Sequence, residues 1–111
     1  MHNRTLNALQ FDEITVSVSE NSSTLWTIKW SSAMASGRTI AASAWSSEDS
    51  GLSISSPGFD GDVTNATFSA SSPGRYKATN KITDDLGNLD ERSIIFVFKD
   101  NSRAFDYGWY R

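Results

Sequence analysis

The chain of 111 residues contains no cysteine and a single histidine, His2. Without thiols there is no disulfide framework, no thiolate zinc site and no cysteine nucleophile. One histidine beside the first residue supplies neither a His-based metal cluster nor an organised catalytic triad. Long hydrophobic runs are also missing. The opening stretch MHNRTLNALQFDEITVSVS has no apolar block of signal-peptide length, and nowhere is there a run of about 18 apolar residues. A soluble, unprocessed chain made without oxidative folding is expected. Charge of one sign is scarce too: 10 Lys and Arg stand against 13 Asp and Glu, for a net −3. The cations are scattered, so no patch tracks a phosphate backbone, and neither nucleic acid nor membrane is expected as a partner.

What the chain has is Ser and Thr, 19 and 9 residues, and an aromatic share of 12%. The apolar residues recur with period two. Ile14, Val16 and Val18 alternate with Thr15, Ser17 and Ser19. Trp26, Ile28 and Trp30 alternate with Leu25, Thr27 and Lys29. Tyr76, Ala78, Asn80 and Ile82 face one way, and Arg75, Lys77, Thr79, Lys81 and Thr83 the other. Weaker strands are expected over residues 39–46, 52–55 and 63–70. Residues 93–98, Ser-Ile-Ile-Phe-Val-Phe, are apolar on both faces, which predicts a second cover beyond the core, either the chain's own tail or another protein. Gly, Pro, Asn and Asp cluster between these runs, at Ser36-Gly37, Pro57-Gly58, Asp60-Gly61-Asp62, Pro73-Gly74 and residues 84–88.

About seven short strands with turns between them predict an all-β fold, an immunoglobulin-like antiparallel β-sandwich. Helix is confined to a turn or two at residues 31–35. The Ser and Thr load then becomes the uncharged outer faces and turns of the sheets. Trp45 is expected to plug the core. Tyr76, just after Pro73-Gly74, stands where such folds place a corner tyrosine. The cysteine expected two residues further on is Ala78 here, so packing must replace a disulfide. Residues 1–10 have no period and read as an N-terminal arm, 11–100 as the sandwich, and 101–111 as a C-terminal tail. The tail, NSRAFDYGWYR, concentrates Phe105, Tyr107, Trp109 and Tyr110. Large aromatics are the anchors that interfaces prefer, so these four are the candidate partner-binding residues.

No constellation carries catalysis. Asp84, Asp85, Asn88, Asp90 and Glu91 bring oxygen ligands together, but their spacing is not that of an EF-hand loop and fits ordinary turn chemistry. The acid pairs Asp12-Glu13, Glu48-Asp49 and Asp90-Glu91 single out no pair held across a cleft. No enzyme, metal or cofactor is expected.

Four segments, Trp26-Thr-Ile-Lys-Trp30, Arg38-Thr-Ile-Ala-Ala-Ser-Ala-Trp45, Ala78-Thr-Asn-Lys-Ile-Thr83 and Asp90-Glu-Arg-Ser-Ile94, are similar in order and spacing to a family of small phage proteins, the fiber-tail adaptors. The resemblance runs from about Leu25 to Lys99. Where that family has a Leu-Ser-Gly-Gly-Thr-Ala-Gly linker, this chain reads Phe68-Ser-Ala-Ser-Ser-Pro-Gly74. Residues 72–88 also look like the last two strands of a PKD-type repeat, without its Trp-Asp-Phe-Gly-Asp signature. The phage resemblance implies a non-enzymatic virion protein, assembled in the bacterial host cytoplasm, that attaches tail fibers to the tail or neck. Its partners would be tail, neck or portal-adaptor proteins and the fibers, with many copies in a ring. The resemblance does not cover residues 1–23 or the tail; the tail aromatics are expected either to insert into a neighbour, with the N-terminal arm as a second clamp, or to close the domain's own second sheet. A capsid-decorating or glycan-binding module, with aromatics stacked on sugar rings, is the alternative.

Overall fold

The structure is a computed structural model, and it describes residues 4–19, 22–31, 33, 34 and 36–99. Eight strands pair into two four-stranded sheets packed face to face. They are β1 (Thr5–Asn7), β2 (Glu13–Ser19), β3 (Thr24–Lys29), β4 (Ile40–Ser46), β5 (Leu52–Asp60), β6 (Val63–Ala70), β7 (Gly74–Asp84) and β8 (Leu89–Lys99). One sheet has the order β1-β3-β6-β5 and the other β2-β8-β7-β4. All pairings are antiparallel except the two N-terminal edge strands, which lie parallel to β3 and β8. The described part is elongated, 56 × 24 × 22 Å.

The seven expected strands are all present, and the eighth is β1. Part of the segment expected as an arm is built into the sandwich. Thr5–Asn7 pairs with Thr27, Ile28 and Lys29, and a single 3-10 turn, Ala8–Gln10, reverses the chain into β2. Asn7 caps that turn by accepting from the Leu9 amide at 3.0 Å, and Ala8 is fully buried. The sequence predicts its one helical stretch, of a turn or two, at residues 31–35. There, Trp30 O accepts from the amides of both Ala33 and Met34, a tight turn after β3.

Alternation sets which side chains reach the interior. From one sheet come Trp26, Ile28, Ala66 and Phe68, and from the other Val18, Ala78, Ile82, Ile94, Phe96 and Phe98, all buried. Rings run through the middle in a continuous series. Trp45 meets Phe68 edge-on at 5.0 Å, Phe68 meets Phe96 at 4.5 Å, and Phe96 in turn contacts Trp26 at 5.7 Å and Phe98 at 6.3 Å. Trp45 sits at the margin of this series, half-buried, and its Nε1 is shielded without a hydrogen-bond acceptor. The deepest tryptophan is Trp30, at 0% exposure, because β3 is an interior strand whereas β4 is an edge.

Trp30 begins a polar chain that crosses the core. Its Nε1 donates to Thr64 Oγ1 at 3.0 Å, Thr64 Oγ1 donates to Asn80 Oδ1 at 2.6 Å, and Asn80 Nδ2 donates to Ser43 Oγ and to Ala44 O at 2.9 and 3.2 Å. Four segments from both sheets are tied by this one chain, where related sandwiches use a disulfide. Tyr76 makes the expected corner: its hydroxyl donates to Ser72 O at 2.7 Å and its ring meets Phe98 edge-on at 5.9 Å. Gly51 lies against that ring, and a Cβ there would come within 2.9 Å of Tyr76 Cε1, so no larger residue fits without displacing it.

The sheet edges are managed locally. β5 is bent by a register shift between Ser55 and Gly58, with Pro57 in it and Ser56 at a φ of 50°, which spoils the edge for pairing with another chain. On the outer face of β8, Ile95 lies in register between Thr15 and Lys77, and Val97 between Ser17 and Arg75. Both are only half-buried. No described segment adds the second cover that their apolar character predicted.

Candidate functional site

The four aromatics singled out in the sequence, Phe105, Tyr107, Trp109 and Tyr110, lie outside the described residues. The fold does fix where the chain sets out toward them. β8 ends at Lys99, in register with Ser19 at the end of β2. Beside that exit is a hollow of about 430 Å³ lined by Arg4, Ser17, Val18, Ser19, Ser22, Thr24 and Trp26. Arg4 stands over the Trp26 ring, 5.9 Å from its centroid, and Trp26 Nε1 donates to Thr24 Oγ1 at 2.9 Å.

A second depression, about 470 Å³, runs over the outer face where β4, β7 and β8 meet. Its lining is Ser46, Ser47, Glu48, Asp49, Lys77, Thr79, Glu91 and Ser93. The Thr79 and Ser93 hydroxyls are 2.9 Å apart, Lys77 Nζ bridges to Glu13 at 3.0 Å, and Asp49 Oδ2 accepts from the Lys77 amide at 2.7 Å. The Thr79 and Ser93 hydroxyls pair with each other, and the Ser47 hydroxyl donates to Lys77 O, so the groove is lined by polar groups tied into the sheet. The acids weighed as a carboxylate pair are separately engaged: Asp49 holds a backbone amide, Glu13 a lysine and Asp90 an arginine.

The acidic turn between β7 and β8 is organised by Asp84. Its Oδ1 accepts from the amides of Leu86 and Asn88, both at 2.9 Å, and its Oδ2 accepts from Asn88 Nδ2 at 3.0 Å. Asp85 is directed away, toward Arg38 at 3.7 Å, and Asp90 toward Arg92 at 2.6 Å. The carboxylates diverge onto protein donors instead of converging on a common point, which is the arrangement of a turn. The Asn88 side chain holds the Asp84 carboxyl below its ordinary value; burial works against this, and the Asn88 and Leu86 amides and Arg38 reinforce it. Because the folded pKa is depressed, the stabilisation is complete at neutral pH and declines as pH falls below about 4. Asp84→Asn should abolish that part of the acid dependence. Equilibrium unfolding of both proteins between pH 7 and 3 checks it, the difference between them narrowing toward the acid end.

Sequence reasoning placed Asn80 on the inward face but gave it no role. Its partners come from two other strands, 16 and about 37 positions away, and nothing local announces them. Arg92 was likewise read only as part of a motif. Its guanidinium lies 5.3 Å over the Trp30 ring and donates to Ala8 O at 2.8 Å, closing the core at the end opposite the exit of β8.

No curated protein matches the sequence. Among solved structures, the fold is similar to a cysteine protease inhibitor, EhICP2, from Entamoeba histolytica, with a TM-score of 0.58 and 12% identity, covering 86% of this chain and 94% of that one. It is also similar to the PKD domain of the KIAA 1837 protein, with a TM-score of 0.51 and 17% identity over 81% of this chain and 80% of that domain. A third likeness is to PbICP-C, solved in complex with falcipain-2, at a TM-score of 0.51 and 13% identity over 89% and 94%. At these identities the likeness is one of fold alone, an immunoglobulin-like sandwich. The family comparison is of another kind, because residues 12–97 match the podophage GP4 fiber-tail adaptor protein gp77, a span that takes in β2 through most of β8. The chain belongs to the podophage fiber-tail adaptor family.

Proposed function

We propose that the protein is a non-enzymatic structural component of a tailed phage's virion, joining the tail fibers to the tail or neck. The observation that carries this reading is the family match over residues 12–97, which spans the sandwich from β2 to β8. Many copies arranged in a ring would turn modest contacts into high avidity, and assembly would take place in the host cytoplasm. Phe105, Tyr107, Trp109 and Tyr110 serve as anchors for one neighbour. β8 ends beside the hollow at Arg4 and Trp26, so the anchors are offered to a neighbour from a strand paired on both sides.

Deleting residues 101–111 tests the anchor role. Particles complemented with the truncated protein should carry roughly tenfold less of it, or of fiber, as expected for removal of a cluster of interface anchors. Normal levels of both would remove the tail from the docking machinery. Measuring the truncated protein's melting point separates lost docking from lost folding.

A further inference from the structure

The end of the sandwich opposite the β8 exit exposes most of the large apolar side chains found on the described surface. Five large apolar side chains are exposed among the described residues: Leu9 at 63%, Leu25 at 54%, Phe59 at 44%, Leu86 at 70% and Leu89 at 63%. Isolated exposed leucines are ordinary. Here all but Leu25 fall at one end, in the 3-10 turn before β2, beside the β5–β6 hairpin and in the β7–β8 hairpin. The two elements that present the leucines are joined, because Arg92 of β8 donates to Ala8 O at 2.8 Å and thereby holds Leu9 beside the strand that begins at Leu89.

The tip that carries Leu86 is held through its own backbone. Asp84 grips the amides of Leu86 and Asn88, the Gly87 amide donates to Asp84 O at 3.1 Å, and the Asp85 amide donates to Thr39 O at 2.9 Å. A tip fixed by four amides needs little further ordering when it binds. The surroundings are acidic. Asp12 is fully exposed, Asp85 and Asp90 are 41% and 40% exposed, and the arginines of this end, Arg38 and Arg92, are already turned onto those acids.

We infer that Leu9, Leu86 and Leu89 form a docking end for a second protein, one whose surface offers an apolar socket rimmed by lysine or arginine. Three of the four apolar side chains at this end are aliphatic and present no flat ring to a sugar, the one ring being that of Phe59 on β5, and the acids repel nucleic acid and anionic lipid, so a protein is the partner that fits. The inference rests on the adaptor reading for the partner's place in the particle: one end of the sandwich holds the tail assembly or the fiber, and the C-terminal segment holds the other.

The test complements a phage lacking this gene with Leu9→Ser/Leu86→Ser/Leu89→Ser, and with Leu25→Ser as a control exposed leucine elsewhere on the surface. Adaptor and fiber per purified particle are then quantified. The triple variant should lose fiber, alone or together with the adaptor, by roughly tenfold or more, while Leu25→Ser matches the wild type. Wild-type levels of both in the triple variant would overturn the inference, as would an equal loss in the Leu25 control. Should the triple variant fail to fold, Leu86→Lys alone, at the hairpin tip and outside the core, replaces it with the same outcomes. Full fiber occupancy on particles with no copy of the protein would sink the adaptor reading itself, and the docking end with it.

Discussion

Phe96→Ala should cost about 4 kcal/mol of folding stability, the usual cost of emptying an aromatic site in a core. Phe96 is fully buried and is the junction of the ring series, touching Phe68 from the facing sheet at 4.5 Å, Trp26 at 5.7 Å and Phe98 on its own strand. β8 is paired on both sides, to β2 and β7, so the backbone has little freedom to collapse into the void. A single domain of this size is stable by on the order of 5 to 15 kcal/mol, so the substitution removes a large part of the total. Urea unfolding of the purified protein should show the midpoint falling with little change in slope. A loss under about 1 kcal/mol would mean that the rings do not organise the core as described.

The Asn80 network should be nearly as costly to break, for a different reason. Asn80→Ala removes the acceptor of the fully buried Thr64 hydroxyl and the donor to Ser43 and Ala44, which lie nearer the surface. Each orphaned buried group costs roughly 1 to 3 kcal/mol, and a small cavity adds to it, for about 3 kcal/mol in all. Thr64→Val strands Trp30 Nε1 and Asn80 Oδ1 by the same argument. The two substitutions act on one chain of hydrogen bonds, so their costs should not add. The double variant should be about 1 kcal/mol less destabilised than the sum. Additivity within the error of denaturant titration would show that the two residues are not coupled.

How much of this was legible beforehand follows from range. Strands such as β2, β3 and β7 bury one face, and burying one face of a pleated strand forces alternation, so sequence alone reveals them. Tyr76 was legible because its position relative to Pro73-Gly74 is local. β1 was not, since three residues cannot display a period and its pairing is with Thr27 to Lys29, more than twenty positions away. Trp30 and Trp45 look alike in sequence. Which of them lies deepest depends on strand order, and strand order is a property of the whole chain. For the candidate site the balance is less even. The aromatic tail stands out by composition but falls outside the described residues. The leucine-bearing end was invisible because Leu9 lies far in sequence from the β7–β8 hairpin that carries Leu86 and Leu89, and only the topology places them at one end.

The family membership and the rigid, two-ended sandwich make one central claim, that the protein bridges fiber and tail in the particle. Cryo-electron microscopy of the phage tests it directly. Density fitting this eight-stranded sandwich should lie at the fiber–tail junction, with the Leu86 end and the end from which β8 exits facing different proteins. Finding the sandwich on the capsid surface, or absent from the particle, would contradict the account.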